Sequence, residues 1–155
     1  MKFFLSAKDI SEIEEASSQH QFNENAVRLS RALGDELGLE RIGIHLVRLA
    51  SGGESTQHHY HESDEEFIYI LSGHGIAEIG DETIEVGPGD FMGFAAPSPP
   101  HSLNNPNDDD LVYLMGGERN PVDVVHYPRI RRTMIKSHGR RQWLDWDNLH
   151  DLNDR

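Results

Sequence analysis

The sequence predicts an all-β protein, and two observations support this prediction. Short apolar segments recur at intervals of about ten residues between Arg41 and Ile135. Glycine, proline and aspartate stand between these segments, where turns are expected. Many short, evenly spaced strands are typical of a β-sandwich or a small barrel. In chain order, the predicted strands are IGIHLVRLA, EEFIYIL, GIAEI, TIEV, FMGFAA, DLVYLM and VDVVHY.

Each predicted strand ends at a turn signal. Gly80-Asp81 and Gly89-Asp90 suit the tight connection of a β-hairpin. Gly52-Gly53 and Gly116-Gly117 are also interpreted as turns, in preference to a nucleotide-binding loop. No internal repeat or low-complexity linker divides the sequence. We therefore expect one domain over residues 1–155, with a barrel core at about residues 41–135.

The two ends of the chain are expected to be partly helical. Within an N-terminal arm, residues 1–40, Asp9 or Ser11 would cap a first short helix, and a second helix is predicted over about Asn25–Leu37, before Gly38. In the C-terminal tail, residues 136–155, large apolar residues recur every three positions, which predicts a short docking helix. These residues are Trp143, Trp146, Leu149 and Leu152.

Composition excludes several classes of function. The 27 acidic residues outnumber the 14 basic ones, so the formal net charge is −13. This charge argues against a general nucleic-acid binder and against an anionic membrane surface. Cysteine is absent from the sequence, which excludes disulfides, thiolate metal ligands and thiol catalysis. The opening MKFFLSAKD has a run of only three apolar residues, which is too short for the apolar region of a signal peptide. We therefore expect a cytoplasmic protein.

The stretch HHYHESDEE, residues 58–66, concentrates possible metal ligands beside a predicted strand. Side chains alternate along a strand, so His59 and His61 should share one face while His58 and Tyr60 occupy the other. Glu66 begins the next strand and could reach the same ion. An isolated pair of this kind is also compatible with a histidine-rich surface turn.

The spacing of this stretch resembles the first motif of the cupin superfamily. Gly53, His59, His61, Glu66 and Gly73 fit the pattern G-x5-HxH-x4-E-x6-G. The resemblance implies a double-stranded β-helix, or jelly-roll barrel, with short N- and C-terminal helical extensions. The chain as a whole resembles the small stand-alone cupins, some of which are named as sugar-phosphate isomerases without an established activity.

The family's second motif is present in an altered form. His101 and Asn105 reproduce its ending, H-x3-N, but Ala96 and Ser98 stand where the family pattern has proline and glycine. The resemblance therefore implies one more histidine ligand. The implied ligand set is His59, His61, Glu66 and His101.

Three imidazoles and one carboxylate would suit one divalent transition metal per chain, with Fe, Mn, Ni, Co and Zn all open. Four protein ligands on a six-coordinate ion would leave two positions for a small-molecule ligand or substrate. The leading hypothesis is a metal-dependent enzyme on a small oxygen-rich molecule, of the dioxygenase type or the sugar or sugar-phosphate isomerase type. The alternative is a non-catalytic binding or sensor module with a structural metal.

No catalytic residue is assigned from the sequence. Arg48, Gln57 and Tyr113 are candidates to line the cavity. The basic stretch 129–141 could receive a substrate phosphate, or it could be an edge strand protected by charge. Three histidines that lack a motif partner are interpreted as structural or surface residues, namely His45, His74 and His126.

A homodimer is also expected. Phe67, Tyr69 and Leu71 would lie on the face of their strand opposite Glu66, which gives that strand an apolar outer side. A partner subunit or the N-terminal arm could cover this side.

Overall fold

The computed structural model describes residues 2–150, and strands dominate them. Within this range the chain forms thirteen strands, two short α-helices and two 3-10 turns. The helical elements are α1 (Ala7–Glu12), α2 (Leu33–Glu36) and the 3-10 turns Pro128–Ile130 and Trp146–Asn148. The strands are β1 (Ala16–His20), β2 (Asn23–Arg31), β3 (Ile42–Leu49), β4 (Tyr60–His61), β5 (Glu66–Ser72), β6 (Gly75–Ile79), β7 (Glu82–Val86), β8 (Phe91–Phe94), β9 (His101–Asn104), β10 (Leu111–Glu118), β11 (Val122–Tyr127), β12 (Arg132–Ser137) and β13 (Arg140–Asp145).

The strands form three antiparallel sheets. The first has six strands in the order β1-β2-β3-β10-β5-β8, the second has the order β13-β12-β11-β4, and the third has the order β7-β6-β9. An isolated bridge between His59 and His101 joins the second sheet to the third. The inner faces of the sheets enclose an apolar core, which includes Val47, Leu49, Ile70, Ala77, Val86, Met92, Phe94, Leu103, Leu111 and Tyr113. This arrangement confirms the all-β jelly-roll barrel predicted from the sequence, with only minor helical extensions.

The seven strands predicted from the sequence all form. They correspond to β3, β5, β6, β7, β8, β10 and β11. Of the helices in the described residues, none has the length and apolarity needed to cross a membrane.

The predicted helix over Asn25–Leu37 is wrong. Most of this segment is strand β2, and only the short α2 follows it. β2 forms a hairpin with β1 on one side and pairs with β3 on the other, so its backbone hydrogen bonds go to two other strands. Tertiary pairing therefore overrides the local pattern. The first helix does form, but Ser6 caps it, while Asp9 completes the capping box from its third position.

The predicted C-terminal helix is also wrong. Trp143 lies in strand β13, which pairs with β12, and Trp146 lies in the following 3-10 turn. The two indole rings have separate partners, because Trp143 packs edge-on to Phe22 at 4.9 Å and Trp146 donates a hydrogen bond to Thr133. The spacing of three residues between the two tryptophans predicts one shared helical face, but the structure places them in two different elements. Leu152 lies outside the described residues.

Two smaller expectations need correction. Gly116-Gly117 lies within β10 and is not a turn, and a Cβ atom on Gly116 would collide with the ring of Phe67 on the neighbouring strand. The basic stretch 129–141 is not a simple edge strand either. Its central strand, β12, is paired on both sides, and β13 forms the sheet edge.

Candidate metal centre and its cavity

Four side chains from three segments of the chain converge inside the barrel. The Nε2 atoms of three histidines approach one oxygen of Glu66, Oε2, at 3.7 Å for His59, 3.4 Å for His61 and 3.2 Å for His101. His59, His61 and Glu66 alone offer ligand atoms that all lie within 4.8 Å of one another. The structure thus brings together the four residues that the sequence proposed.

Strand pairing positions each of these residues. His61 ends β4, Glu66 starts β5, and His101 starts β9, while His59 immediately precedes β4. Glu66 lies opposite Gly117 of β10, where a Cβ atom would stand 3.3 Å from the Cγ atom of Glu66. The glycine therefore leaves space for the carboxylate, a role that the sequence alone did not suggest.

Each imidazole is oriented by a hydrogen bond at its other nitrogen. The Nδ1 atom of His59 lies 2.9 Å from the carbonyl oxygen of Gln57, and that of His101 lies 3.3 Å from the carbonyl oxygen of Pro99. The Nδ1 atom of His61 lies 2.6 Å from the carboxylate of Asp123. These oxygens only accept hydrogen bonds, so the Nδ1 atoms must donate. In the neutral rings, the Nε2 lone pairs then face Glu66.

Asp123 is a site residue that sequence reasoning missed. It is only 1% exposed, and it also accepts a hydrogen bond from the backbone N–H of Ser63. A buried carboxylate behind a histidine fixes the tautomer and the ring orientation of a metal ligand. The available signal was one acidic residue inside the apolar segment VDVVHY. Stacking adds to the orientation, since the ring of Phe94 lies parallel to His101 at 3.6 Å.

The surroundings of Glu66 and His59 favour the deprotonated form of each side chain. Burial opposes ionisation of Glu66. When the imidazole rings are protonated, however, the hydrogen bonds from the Nε2 atoms of His101 and His59 and the charge of His61 outweigh burial and hold the pKa of the carboxyl well below its usual range. Burial lowers the pKa of His59, although Glu66 partly offsets this effect. An ionised carboxylate beside a neutral imidazole is the state in which both can ligate a cation.

The donor set fits a divalent transition metal. Neutral imidazole nitrogens and a carboxylate oxygen suit Fe(II), Mn(II), Ni(II), Co(II) and Zn(II). Three lone pairs directed at a carboxylate would repel it in the absence of a positive charge, and either a proton or a metal ion can supply that charge. The arrangement can therefore hold a Lewis acid at the inner wall of the barrel.

A cavity of about 730 Å³ opens onto this group. Apolar side chains such as Ile68, Met92 and Phe94 cover one part of its wall. Its cationic lining residues are Arg28, Arg119, Lys136 and Arg141. Strand β1, which the sequence patterns did not predict, contributes His20 and its neighbours to the wall.

Of the three residues that the sequence suggested for the cavity wall, one lines the cavity. Tyr113 lines the cavity, whereas Arg48 pairs with Glu15 and Asp110 away from it. Gln57 donates to the carbonyl oxygen of Phe22 and is not a lining residue. Among the three histidines interpreted as structural or surface residues, His45 does line the cavity, while His74 and His126 do not.

Comparison with known proteins assigns the family. The family model for the Cupin domain matches residues 45–117, which span the first motif and the second. A solved structure from Acidithiobacillus ferrooxidans has 35% sequence identity, a TM-score of 0.94 and 97% coverage of both chains. The chain belongs to the cupin superfamily.

Further solved structures extend this comparison. The A. ferrooxidans protein is named as a candidate sugar phosphate isomerase. A sugar phosphate isomerase of the cupin superfamily from Silicibacter pomeroyi has 25% identity, a TM-score of 0.82 and 98% coverage of both chains. The polyketide cyclase RemF from Streptomyces resistomycificus shares the fold at 21% identity, with a TM-score of 0.63 and coverage of 76% of this chain and 80% of that one. No curated protein matches this sequence.

Proposed function

We propose that this cupin is a metal-dependent enzyme that acts on a small oxygen-rich molecule. His59, His61, Glu66 and His101 would hold one divalent transition metal. The observation that carries the proposal is the convergence of three Nε2 atoms on one carboxylate oxygen, with each Nδ1 atom already engaged by an acceptor. A bound ion would polarise a carbonyl or hydroxyl oxygen of the substrate.

The chain's own residues would prepare the site for such a substrate. Asp123 orients the His61 ring, and Phe94 packs on the His101 ring, so the ligand groups are held before the ion arrives. Ile68 and Met92 limit water on one side of the cavity. Reduced access to water strengthens electrostatic interactions inside the site.

Isomerisation of a sugar or sugar phosphate is the favoured reaction. Its support is the names of the A. ferrooxidans and S. pomeroyi proteins, together with a cavity wall that carries four cationic side chains. A dioxygenase is the second enzymatic candidate, because the same ligand set also suits Fe(II). A binding or sensor module without turnover is the alternative from another class.

One experiment separates these possibilities. The protein is purified without added metal, its metal content is measured by elemental analysis, and the metal-loaded protein is assayed for aldose–ketose interconversion of phosphosugars and for oxygen consumption. Isomerisation that depends on the ion supports the favoured reaction. Metal binding without either activity supports the binding or sensor module, and absence of metal contradicts the proposal.

The assembly and location of the protein are also proposed. A homodimer would cover Tyr69, Leu71 and Phe91, which are 39%, 45% and 65% exposed on neighbouring strands of the six-stranded sheet. A cytoplasmic location and the absence of nucleic-acid binding stay predictions from the sequence, and the net charge of −13 supports the second.

A further inference from the structure

We infer that Arg28 and Tyr113 form an anion-recognition subsite in the cavity, so the ligand carries a carboxylate or a phosphate group. That this anion belongs to the substrate of the metal centre rests on the proposed function. The subsite itself rests on the contacts of Arg28 and Tyr113 in the cavity wall.

Arg28 is a cavity cation without an acidic partner. It is half-buried on β2 and lines the cavity. Across residues 2–150, no carboxylate lies within ion-pair distance of its guanidinium, and the hydrogen bond that it does make runs from Nη1 to the sulfur of Met115 at 3.6 Å. A thioether is a weak acceptor, so most of the donor capacity of the guanidinium is unused.

Two of the other three cavity cations are already neutralised, and the third, Arg141, is exposed. Arg119 pairs with Asp35 at 2.6 Å, and Lys136 pairs with the buried Asp64. A partly buried charge is costly to leave without a partner. Arg28 is therefore the cation of this wall that is ready to receive an anion from outside the protein.

Tyr113 supplies a second, independent observation. Its side chain is 0% exposed, and within the described part of the chain its hydroxyl has no hydrogen-bond partner. Burial raises the pKa of Tyr113 to about 12, against the opposing charge of Arg28, so the phenol stays protonated. An unsatisfied buried hydroxyl is destabilising, and a ligand oxygen in the cavity would satisfy it.

The two groups belong to one wall of the cavity. Tyr113 and Met115 are two residues apart on β10 and share a face, and Arg28 contacts Met115. On β2, Ser30 lies opposite the buried Val47 of β3, and Arg28, two residues before Ser30, points to the same side. The guanidinium and the phenol thus face the same space.

The chemistry of this pair specifies an anion. A guanidinium presents its N–H donors in a planar fork that matches a carboxylate or a phosphate. The phenol adds a neutral donor beside it. A neutral ligand could satisfy the hydroxyl of Tyr113 but would leave the charge of Arg28 uncompensated.

Isothermal titration calorimetry on the metal-free full-length protein tests the subsite. Inorganic phosphate and acetate are titrated separately at constant ionic strength, which distinguishes a phosphate site from a carboxylate site. We expect one of the two anions to bind. Arg28→Gln should weaken binding about tenfold or more, Arg28→Lys should restore part of it, and Tyr113→Phe should weaken it about two- to tenfold.

Arg41→Gln is the matched control, because Arg41 is exposed, lies outside the cavity and makes no ion pair within the described residues. Far-UV circular dichroism and the Tm establish that each variant is folded. Binding of neither anion, or equal binding by Arg28→Gln and Arg41→Gln, would overturn the inference. If Arg28→Gln does not fold, a binding constant of Arg28→Lys and Tyr113→Phe equal to that of the wild type would do the same.

The subsite and the metal centre can fail separately. Anion binding by a protein that takes up no metal would leave the subsite standing and reject the proposed function. Metal binding without anion binding would overturn the subsite and leave the proposed function standing.

Discussion

His59 and His101 face each other across an isolated antiparallel bridge and exchange two backbone hydrogen bonds, of 3.1 Å and 2.8 Å. Their imidazole rings lie 4.8 Å apart, centroid to centroid. Residues that exchange both hydrogen bonds in an antiparallel pair project their side chains to the same face of the sheet. The bridge therefore connects the two motifs at the point where the proposed metal ligands meet.

The first prediction concerns metal content. The wild-type protein should bind about one divalent ion per chain, and His59→Ala or His61→Ala should abolish binding, because each removes a ligand that faces Glu66. Elemental analysis after dialysis measures the occupancy. His74→Ala is the control, since His74 does not line the cavity. Unchanged occupancy in both ligand variants would contradict the proposed centre.

His101→Ala should keep the fold but bind metal more weakly. The apolar core supplies most of the stability, so loss of one inward imidazole should leave the circular dichroism spectrum unchanged. Metal affinity is measured by competition with a chromophoric chelator. In the Co(II)-substituted wild type, added azide should shift the visible spectrum. A spectrum that azide never alters would favour a saturated structural site over either enzyme.

Asp123→Asn tests the support behind His61. The amide cannot replace the carboxylate as a charged acceptor, so metal affinity should fall about 10- to 100-fold while His61 itself remains. The same chelator competition measures it. Asp109→Asn is the control, because Asp109 lies in an exposed loop. Equal affinities for the two variants would show that Asp123 has only a structural role.

Metal affinity should decrease as the pH falls below about 6. Protons compete with the ion for imidazole nitrogens, whose reference pKa is about 6.5. Burial lowers the pKa of His59, so this ring should remain available to more acidic pH than an exposed histidine. Glu66, with its lowered pKa, should stay ionised throughout this range. Absorbance of the Co(II) form, followed from pH 8 to pH 5, measures the loss. An affinity independent of pH would indicate that histidines do not bind the ion.

The apolar outer face predicts a dimer in solution. Light scattering should give twice the mass of the 17.6 kDa chain. Leu71→Lys should shift the protein toward the monomer, because it places a charge within the proposed contact. Val122→Lys is the control at an exposed apolar position on another sheet. A monomer in the wild type at working concentrations would count against the assembly.

Local sequence patterns were sufficient for much of the barrel. Alternation along HHYHE separated His59 and His61 from His58, and the structure agrees, because His58 turns away toward Ser102. Turn residues also marked the ends of six of the seven predicted strands, whereas Gly116-Gly117 lies within β10. Both signals depend on neighbouring residues, since strand alternation and turn geometry are local properties of the backbone.

Tertiary structure alone decided the remaining features. β2 is a strand because β1 and β3 supply its hydrogen bonds, and this pairing brings Arg28 to the cavity. Asp123 reaches His61 only because β11 pairs with β4, and Gly117 makes room for Glu66 only because β10 pairs with β5. The contacts of β11 with β4 and of β10 with β5 join residues far apart in sequence, and no periodicity within a single segment encodes which strand will become its neighbour.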